Sequence, residues 1–256
     1  MELTFWGWVG KILNIYWPMF LNGALVTFWL AVFGTAAGFV IGLLIGIIRA
    51  VPLRRAGDKG ETPRSAALRA VNAVLSVYSE VFRGTPMMVQ AIVMYYGFFE
   101  AFRPDMSAMT AGMVVIALNT GAYMAEIIRG GIQAVDKGQT EAAKAIGMTH
   151  WKTMTNVVLP QAIRSVLPAC GNVFIINIKD SSVLNVIAVT ELFFMASSVK
   201  GAALRTYEVF FITALVYLFL TFSFTRLLAA LEKWLDGPKD FELAAAGGRE
   251  NADDIP

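Results

Sequence analysis

The sequence predicts an all-α integral membrane protein with five transmembrane helices, its N-terminus outside and its C-terminus cytoplasmic. Hydrophobic residues make up 57% of the 256 positions and charged residues only 16%, which is unusual for a soluble domain. Several apolar runs are also long enough to cross a hydrocarbon core of about 30 Å, which takes roughly 20 helical residues. Finally, Lys and Arg gather in the loops that this topology places on one side.

The first predicted span runs from position 20 to 48 without a charged residue. Residues 1–19 before it are rich in Trp and Tyr, which predicts an N-terminal interfacial segment at the level of the lipid headgroups. Within the span a glycine recurs every fourth residue, at Gly34, Gly38, Gly42 and Gly46. This smooth stripe favours close approach of another helix, either from this chain or from a second subunit.

The other predicted spans cover 70–99, 106–125, 157–178 and 209–225. Gly84, Thr85 and Pro86 interrupt the second, and they predict a break and restart with Thr85 as N-cap and Pro86 in the first turn. A helix N-terminus at membrane depth would suit a substrate carboxylate. A kink that serves only packing is the alternative.

The distribution of Lys and Arg predicts the orientation. Six lie between positions 49 and 69, five between 129 and 164, and four beyond the last span, whereas the opposite side holds Lys11, Arg103, Lys200 and Arg205. The positive-inside rule therefore puts the loop between the third and fourth spans in the cytoplasm. The apolar spans make 20–235 the membrane domain, and the orientation makes 236–256 a cytoplasmic tail, which its Ala/Gly-rich composition predicts to be flexible.

That cytoplasmic loop, residues 137–160, predicts two short helices joined by a bend. Glu141 to Ile146 consists mostly of good helix formers, and Gly147 suits the left-handed position that ends a helix. Thr149 can cap a second short helix over 150–155, and Pro160 suits the first turn of the next span. The loop is too short and polar to cross a membrane, and its shape suits another protein's groove.

The order Glu-Ala-Ala, Gly, Leu-Pro in this loop resembles the cytoplasmic EAA loop of ABC-type importer permeases. The resemblance implies that the loop docks into a cleft of ATPase subunits; an ordinary cytoplasmic hairpin is the alternative. The residues predicted to couple the chain to the ATPase are Glu141, Ala142, Ala143, Ile146, Gly147, His150, Trp151 and Pro160.

Two short passages repeat the pattern Glu-x-x-Arg-Gly, at Glu80–Gly84 and Glu126–Gly130. Glu and Arg three residues apart can pair on one helix face, and charge within a span is costly and usually functional. Each pair either neutralises itself at the membrane boundary or contacts substrate.

The stretch from Tyr78 to Pro86 resembles the polar amino-acid uptake branch of these permeases, and the resemblance covers roughly 20–235. The further residues that carry it are Gln90, Ala122, Tyr123, Glu126, Arg129, Gly130, Gly131, Lys179, Asp180, Ser181 and Ser182. The resemblance implies a prokaryotic cell-membrane protein that pairs with itself or a homologous permease, binds two ATPase subunits and receives substrate from an extracytoplasmic binding protein. The predicted substrate-pathway or gate residues are Glu80, Arg83, Thr85, Gln90, Tyr123, Glu126, Arg129, Lys179, Asp180, Ser181 and Ser182.

Other classes of function find less support. The sequence has no Walker motif, so we expect ATP and Mg²⁺ to bind the partner ATPase and no cofactor to bind this chain. One Cys and one His predict no metal site, and a net charge of +2 predicts no nucleic-acid partner. A permease for methionine, an osmolyte or an oxyanion is an alternative. A secondary transporter using Glu80, Glu126 or Asp180 would leave the EAA loop without a purpose, and no catalytic constellation indicates an enzyme.

Overall fold

The computed structural model describes residues 3–51, 63–102 and 105–236. All regular secondary structure in these ranges is helical. The helices are α1 (Phe5–Ala50), α2 (Pro63–Gly84), α3 (Met87–Phe102), α4 (Ala108–Ala134), α5 (Lys137–Ala145), α6 (His150–Ile187), α7 (Leu192–Ala203) and α8 (Thr206–Asp236). Most of the predicted loop after the first span and nearly all of the predicted tail, residues 52–62 and 237–256, lie outside the described residues.

Four of the described helices are long and apolar enough to cross a membrane: α1, α4, α6 and α8. The predicted second span, 70–99, is instead divided between α2 and α3. Of these two helices, α3 is apolar but short. The prediction of an all-helical membrane protein is therefore confirmed.

Helix α1 joins the predicted interfacial segment and the predicted first span in one element of 46 residues. The Thr4 side chain caps its N-terminus by accepting a hydrogen bond from the Gly7 N–H, and Pro18 is accommodated inside the helix. At 1.5 Å per residue, α1 is about 69 Å long, well beyond the thickness of a hydrocarbon core.

The glycine stripe of α1 packs against α4 of the same chain. A Cβ atom at Gly34 would lie 2.9 Å from the Ile116 side chain, and one at Gly38 would lie 2.5 Å from Thr120 Cγ2. Gly42 and Gly46 face Met124, Ala125 and Ile128 further along α4. A real Cβ atom does not approach other atoms this closely, so the two helices can pack at this separation only with glycine at these positions. The stripe therefore serves contact within the chain.

The predicted break at Gly84–Pro86 is confirmed, but the prediction of Thr85 as the N-cap of the second helix is wrong. Pro86 is the N-cap of α3 and provides no side-chain hydrogen bond, while Thr85 Oγ1 donates to Val81 O at 2.8 Å. A Thr hydroxyl can bond the carbonyl four residues back, so Thr85 ends α2 instead of starting α3.

The predicted second short helix of the cytoplasmic loop is also wrong as a separate element. It is the start of α6, which runs without interruption from His150. Pro160 cannot donate a helical hydrogen bond. Just before it, the Leu159 N–H donates to Met154 O, five residues back, in a π turn over Met154–Val158. This wider turn carries the helix past the proline.

Candidate functional site

The bend of the 137–160 loop is built by the backbone of α5. Gly147 has φ +85, and its N–H donates to Lys144 O at 2.9 Å. The Met148 N–H donates to Ala143 O at 3.0 Å. These two bonds form the Schellman motif, in which a left-handed residue satisfies the last carbonyls of a helix. Gly147 therefore ends α5 as the sequence predicts.

Side-chain caps fix the two helices on either side of this bend. Asp136 caps α5 by accepting from the Gly138 N–H at 2.6 Å. Thr149 caps α6 and accepts from the Lys152 N–H at 3.4 Å. Both caps satisfy N–H groups that a helix start leaves open, so the loop has a defined shape before any partner binds.

The loop presents an apolar ridge to its surroundings. Ile146 is 78% exposed and Trp151 is 73% exposed, although apolar side chains of this size are usually buried. The other predicted coupling residues that are exposed are Glu141, Ala142, Gly147, His150 and Pro160. Ala143 is the exception, because only 5% of it is exposed and it packs inward, under the ridge.

A second group of predicted residues meets around Glu126 on α4. Arg129 donates to Glu126 Oε2 through Nε at 2.9 Å and Nη2 at 2.8 Å, so this predicted pair forms. Arg49 at the end of α1 also donates to Glu126 Oε1, and its Nη1 lies 3.0 Å from Ser79 Oγ on α2. The carboxylate thus ties three helices together. Sequence analysis missed Arg49 because it lies at the predicted boundary between a span and a loop.

The matching passage on α2 behaves differently. Glu80 and Arg83 are both exposed, and these two described side chains form no ion pair with each other. Arg83 Nη1 lies 3.9 Å from Glu126 Oε1 instead, and its guanidinium group stands 5.8 Å from the Tyr123 ring centroid. The repeated pattern therefore produces one local ion pair, not two.

Gln90 repairs the break between α2 and α3. Pro86 has no N–H to donate to Phe82 O, and Gln90 Nε2 takes that role at 2.8 Å. The same nitrogen reaches Thr85 O and Oγ1, both at 2.9 Å. Asn119 Nδ2 on α4 donates to Gln90 Oε1 at 2.9 Å. Gln90 therefore links α2, α3 and α4 at the helix break, and its role in the substrate pathway stays a prediction.

A cavity of about 310 Å³ opens next to this network, between the helix break, α4 and α6. Three predicted pathway residues line it: Thr85, Tyr123 and Asp180. Its polar wall also holds Asn119, Thr120 and Asn177, of which Thr120 Oγ1 and Asn177 Oδ1 lie 3.1 Å apart. Sequence analysis overlooked these neutral residues because it searched the spans for ionisable groups, although polar groups there are equally informative.

The predicted Lys179–Ser182 group is only partly in place. Asp180 reaches the cavity, whereas Lys179, Ser181 and Ser182 do not line it. Ser181 is fully buried and donates to Ile178 O at 2.9 Å. The α-helical part of α6 ends at Asp180 and continues as a 3-10 helix over Ser181–Ile187, so the sequence marks a change of helix type.

Sequence analysis also missed a buried carboxylate outside the candidate spans. Glu191 is fully buried and caps α7 by accepting from the Phe193 and Phe194 N–H groups at 2.7 and 2.8 Å. Tyr217 Oη on α8 donates to it at 3.1 Å. Burial raises the pKa of the Glu191 carboxyl group to about 7. Its contacts make it a capping residue that joins α7 to α8.

Comparison with known proteins identifies the family. Residues 65–237, more than half of the chain, match the family described as "Binding-protein-dependent transport system inner membrane component". The chain belongs to this family. The resemblance that the 137–160 loop indicated is thereby confirmed, and the chain is a multi-pass membrane permease component of a binding-protein-dependent transport system.

Two relatives of the permease cover most of its length. It is 37% identical over 217 residues to the glutamine transport system permease protein GlnP of Escherichia coli, covering 84% of this chain and 92% of the relative. It is 35% identical over 222 residues to the L-cystine transport system permease protein TcyB of Bacillus subtilis, covering 86% and 88%. These relatives fit the amino-acid branch that the Tyr78–Pro86 stretch resembles.

Solved structures share the fold of the permease. A chain from an amino acid ABC transporter crystallised with histidines is 36% identical, has a TM-score of 0.77, and is matched over 91% of this chain and 99% of that chain. A chain of the MetNI methionine ABC transporter, 17% identical, has a TM-score of 0.65 over 84% and 97%. The second likeness is one of fold alone.

Proposed function

We propose that this permease forms the membrane pathway for a polar amino acid delivered by an extracytoplasmic binding protein. ATPase subunits drive transport through the 137–160 loop, and they bind the ATP and Mg²⁺. The observation that carries the coupling role is the preformed bend at Gly147, with Ile146 and Trp151 exposed on either side of it. A rigid apolar ridge on a polar loop is suited to a groove in a partner.

The proposed topology has five spans, with α2 and α3 together as the second. The N-terminus then lies outside the prokaryotic cell membrane and the C-terminus lies in the cytoplasm. The excess of Lys and Arg on the side of the 137–160 loop supports this orientation. It places the exposed ridge where ATP is available.

The proposed assembly is a dimer, with an identical or homologous permease, that binds two ATPase subunits. Helix α8 supports a contact with a second permease, because none of the residues in its apolar 18-residue stretch is buried by the rest of the described chain. Leu218 and Phe219 are among the exposed side chains of that helix. Lipid and a second permease can share such a surface.

The cavity beside the helix break is the proposed substrate passage. Its side-chain amides and hydroxyls can exchange hydrogen bonds with an amino acid, and Asp180 can attract the ammonium group. A secondary transporter would need a free carboxylate to couple ions. Glu126 is occupied by Arg49 and Arg129, which argues against Glu126 in that role. Glu80 and Asp180 are exposed, and the 137–160 loop, for which a secondary transporter has no use, argues against that role for them. Passage of methionine, an osmolyte or an oxyanion remains an alternative for the same cavity.

The coupling role is tested at Gly147. A β-branched side chain is strained at φ +85, whereas Asn tolerates this region better. Gly147→Val should therefore distort the bend and reduce copurification of the ATPase with the permease by about tenfold, equivalent to about 1.4 kcal/mol. Gly147→Asn is the matched control and should retain most of the ATPase.

Apart from Gly147 and its two chain neighbours, no atom of the described residues lies within 4 Å of a Cβ built at Gly147, so Gly147→Val acts mainly through the backbone. Normal ATPase copurification and transport in Gly147→Val would contradict the docking role.

The passage is tested at Asp180. Asp180→Asn should raise the apparent KM for amino-acid uptake about tenfold, the value of one charge-assisted hydrogen bond of about 1.4 kcal/mol. Lys179→Gln is the control, since Lys179 is the exposed neighbour of Asp180 and does not line the cavity. Uptake is measured in proteoliposomes with saturating binding protein. Equal KM values for both variants and the wild type would remove Asp180 from the passage.

A further inference from the structure

A second cavity, of about 550 Å³, lies behind the 137–160 loop. The end of α1, the end of α4, helix α5 and the first turns of α6 enclose it. It is separate from the proposed substrate passage and shares no lining residue with it. Neither the coupling ridge nor the passage uses it.

The polar lining of this cavity is cationic. Lys137 and Lys144 contribute positive charge and His150 contributes an imidazole, whereas the charge of Arg49 is paired with Glu126. None of the described lining residues is acidic. Among the described residues no carboxylate lies within 4.0 Å of the ammonium group of Lys137 or Lys144. The cavity therefore has the charge of an anion site.

A buried hydroxyl group without a partner lies at the same place. Thr153 lines the cavity and is only 1% exposed. Its N–H donates to Thr149 O at 2.9 Å, but its Oγ1 has no hydrogen-bond partner among the described residues. Buried side-chain oxygens are nearly always hydrogen-bonded, so this hydroxyl is an unmet hydrogen-bonding group in the wall of the cavity.

The rest of the lining is apolar, including Ile132, Val135 and Val158. It adjoins the ends of α1 and α4, two of the candidate membrane spans. A basic pocket between the ends of membrane helices, with an apolar wall beside it, matches the headgroup and glycerol region of an anionic lipid. Inorganic phosphate would use the cations and leave the apolar wall without a partner.

We propose that this cavity binds the phosphate headgroup of an anionic phospholipid from the cytoplasmic leaflet. Lys137 and Lys144 attract the phosphate. Thr153 Oγ1 is closed off from the cavity in this structure, and it donates a hydrogen bond to a phosphate oxygen after rotation about χ1 to the second rotamer open to a helical Thr. The assignment to the cytoplasmic leaflet rests on the proposed orientation of the permease. Because the cavity lies directly behind the loop that faces the ATPase, bound lipid supports that loop from the membrane side.

The test titrates phosphatidylglycerol into the purified permease–ATPase complex in detergent and follows lipid binding by native mass spectrometry. Phosphatidylcholine is the neutral comparison. Lys137→Gln and Lys144→Gln should each weaken phosphatidylglycerol binding about fivefold, the effect of one cation near an anionic lipid surface. Lys152→Gln removes the same charge from a residue outside the cavity and should bind as the wild type does.

Thr153→Val tests the site without a change of charge. It removes a hydroxyl that has no partner in the chain, so its melting temperature without phosphatidylglycerol should equal or exceed that of the wild type. Its affinity for phosphatidylglycerol should fall by about fivefold, the value of one net hydrogen bond. Unchanged affinity would overturn the assignment of the lipid to this cavity.

Three other outcomes would overturn the proposal. One is equal binding of phosphatidylglycerol and phosphatidylcholine. Another is an equal loss in Lys152→Gln and Lys144→Gln, which would indicate general surface attraction. The third is displacement of the lipid by inorganic phosphate alone, which would make this a phosphate site. Lipid binding is measured without transport or nucleotide, so its result is independent of ATP-driven uptake. Loss of the lipid proposal therefore leaves the proposed transport function standing, and loss of the transport function leaves the lipid result standing.

Discussion

At the scale of single residues, Glu126 organises the charges at one end of the membrane domain. Its side chain is 18% exposed and that of Arg49 is 12% exposed, so water screens the pair only partly. Arg129 approaches from the same helix, and Arg83 from α2 lies further away. Without the Glu126 carboxylate, the Arg49 guanidinium would keep only Ser79 among its described partners.

Glu126→Gln should therefore destabilise the permease by about 3 kcal/mol, the lower end of the range for breaking a buried ion pair. Glu80→Gln is the matched control, because Glu80 occupies the same place in the repeated pattern but is exposed. Chemical denaturation of the two variants in detergent measures the difference. Equal free energies of unfolding would show that the cluster contributes nothing to stability.

The same residue scale shows where sequence reasoning stops. The Glu126–Arg129 pair follows from spacing on one helix and was predictable. Arg49 joins it from 77 positions away, and nothing in the local sequence indicates that contact. Gln90 was predicted as a pathway residue, and that role stays a prediction. Its hydrogen bond to Phe82 O, the carbonyl that Pro86 leaves without an N–H, becomes apparent only once the helix break has a geometry.

At the scale of elements, α1 packs closely against α4 along its glycine stripe. A Cβ atom at Gly42 would overlap the Met124 side chain and lie 2.8 Å from the Ala125 backbone nitrogen. Backbone atoms cannot move aside as a flexible side chain can. The two helices therefore depend on glycine at this position.

Gly42→Ala should lower the free energy of unfolding by about 1–3 kcal/mol through overpacking. Gly10→Ala is the control in the same helix, since outside its own stretch of helix no atom of the described residues lies within 4 Å of its Cβ position. Alanine there favours the helix by up to about 1 kcal/mol. Denaturation in detergent compares them. A Gly42→Ala permease as stable as Gly10→Ala would contradict this contact.

Elements were predictable where one local signal decided them. Gly147, Thr149 and Asp136 fix the bend and caps of the 137–160 loop through neighbours within a few positions. The continuity of α6 through Pro160 was not predictable, because a π turn and a helix end use the same residue types. The glycine stripe predicted close packing, and only the structure identified α4 as its partner.

At the scale of the whole molecule, α4 and α6 connect a polar cavity to an exposed apolar ridge. The cavity beside the helix break lies among Thr85, Asn119 and Asp180, and the exposed ridge lies on the loop between the two helices. Motion of the ridge can therefore reach the cavity through two continuous helices, without a flexible linker between them. This arrangement suits a passage that is opened and closed by a separate motor.

The most direct measurement is amino-acid accumulation in proteoliposomes that contain the permease, its ATPase and the binding protein, with each component omitted in turn. Accumulation should require Mg-ATP on the side of the 137–160 loop and should cease when the ATPase is left out. Accumulation by the permease alone, driven by an ion gradient without any nucleotide-hydrolysing subunit, would contradict the proposed coupling.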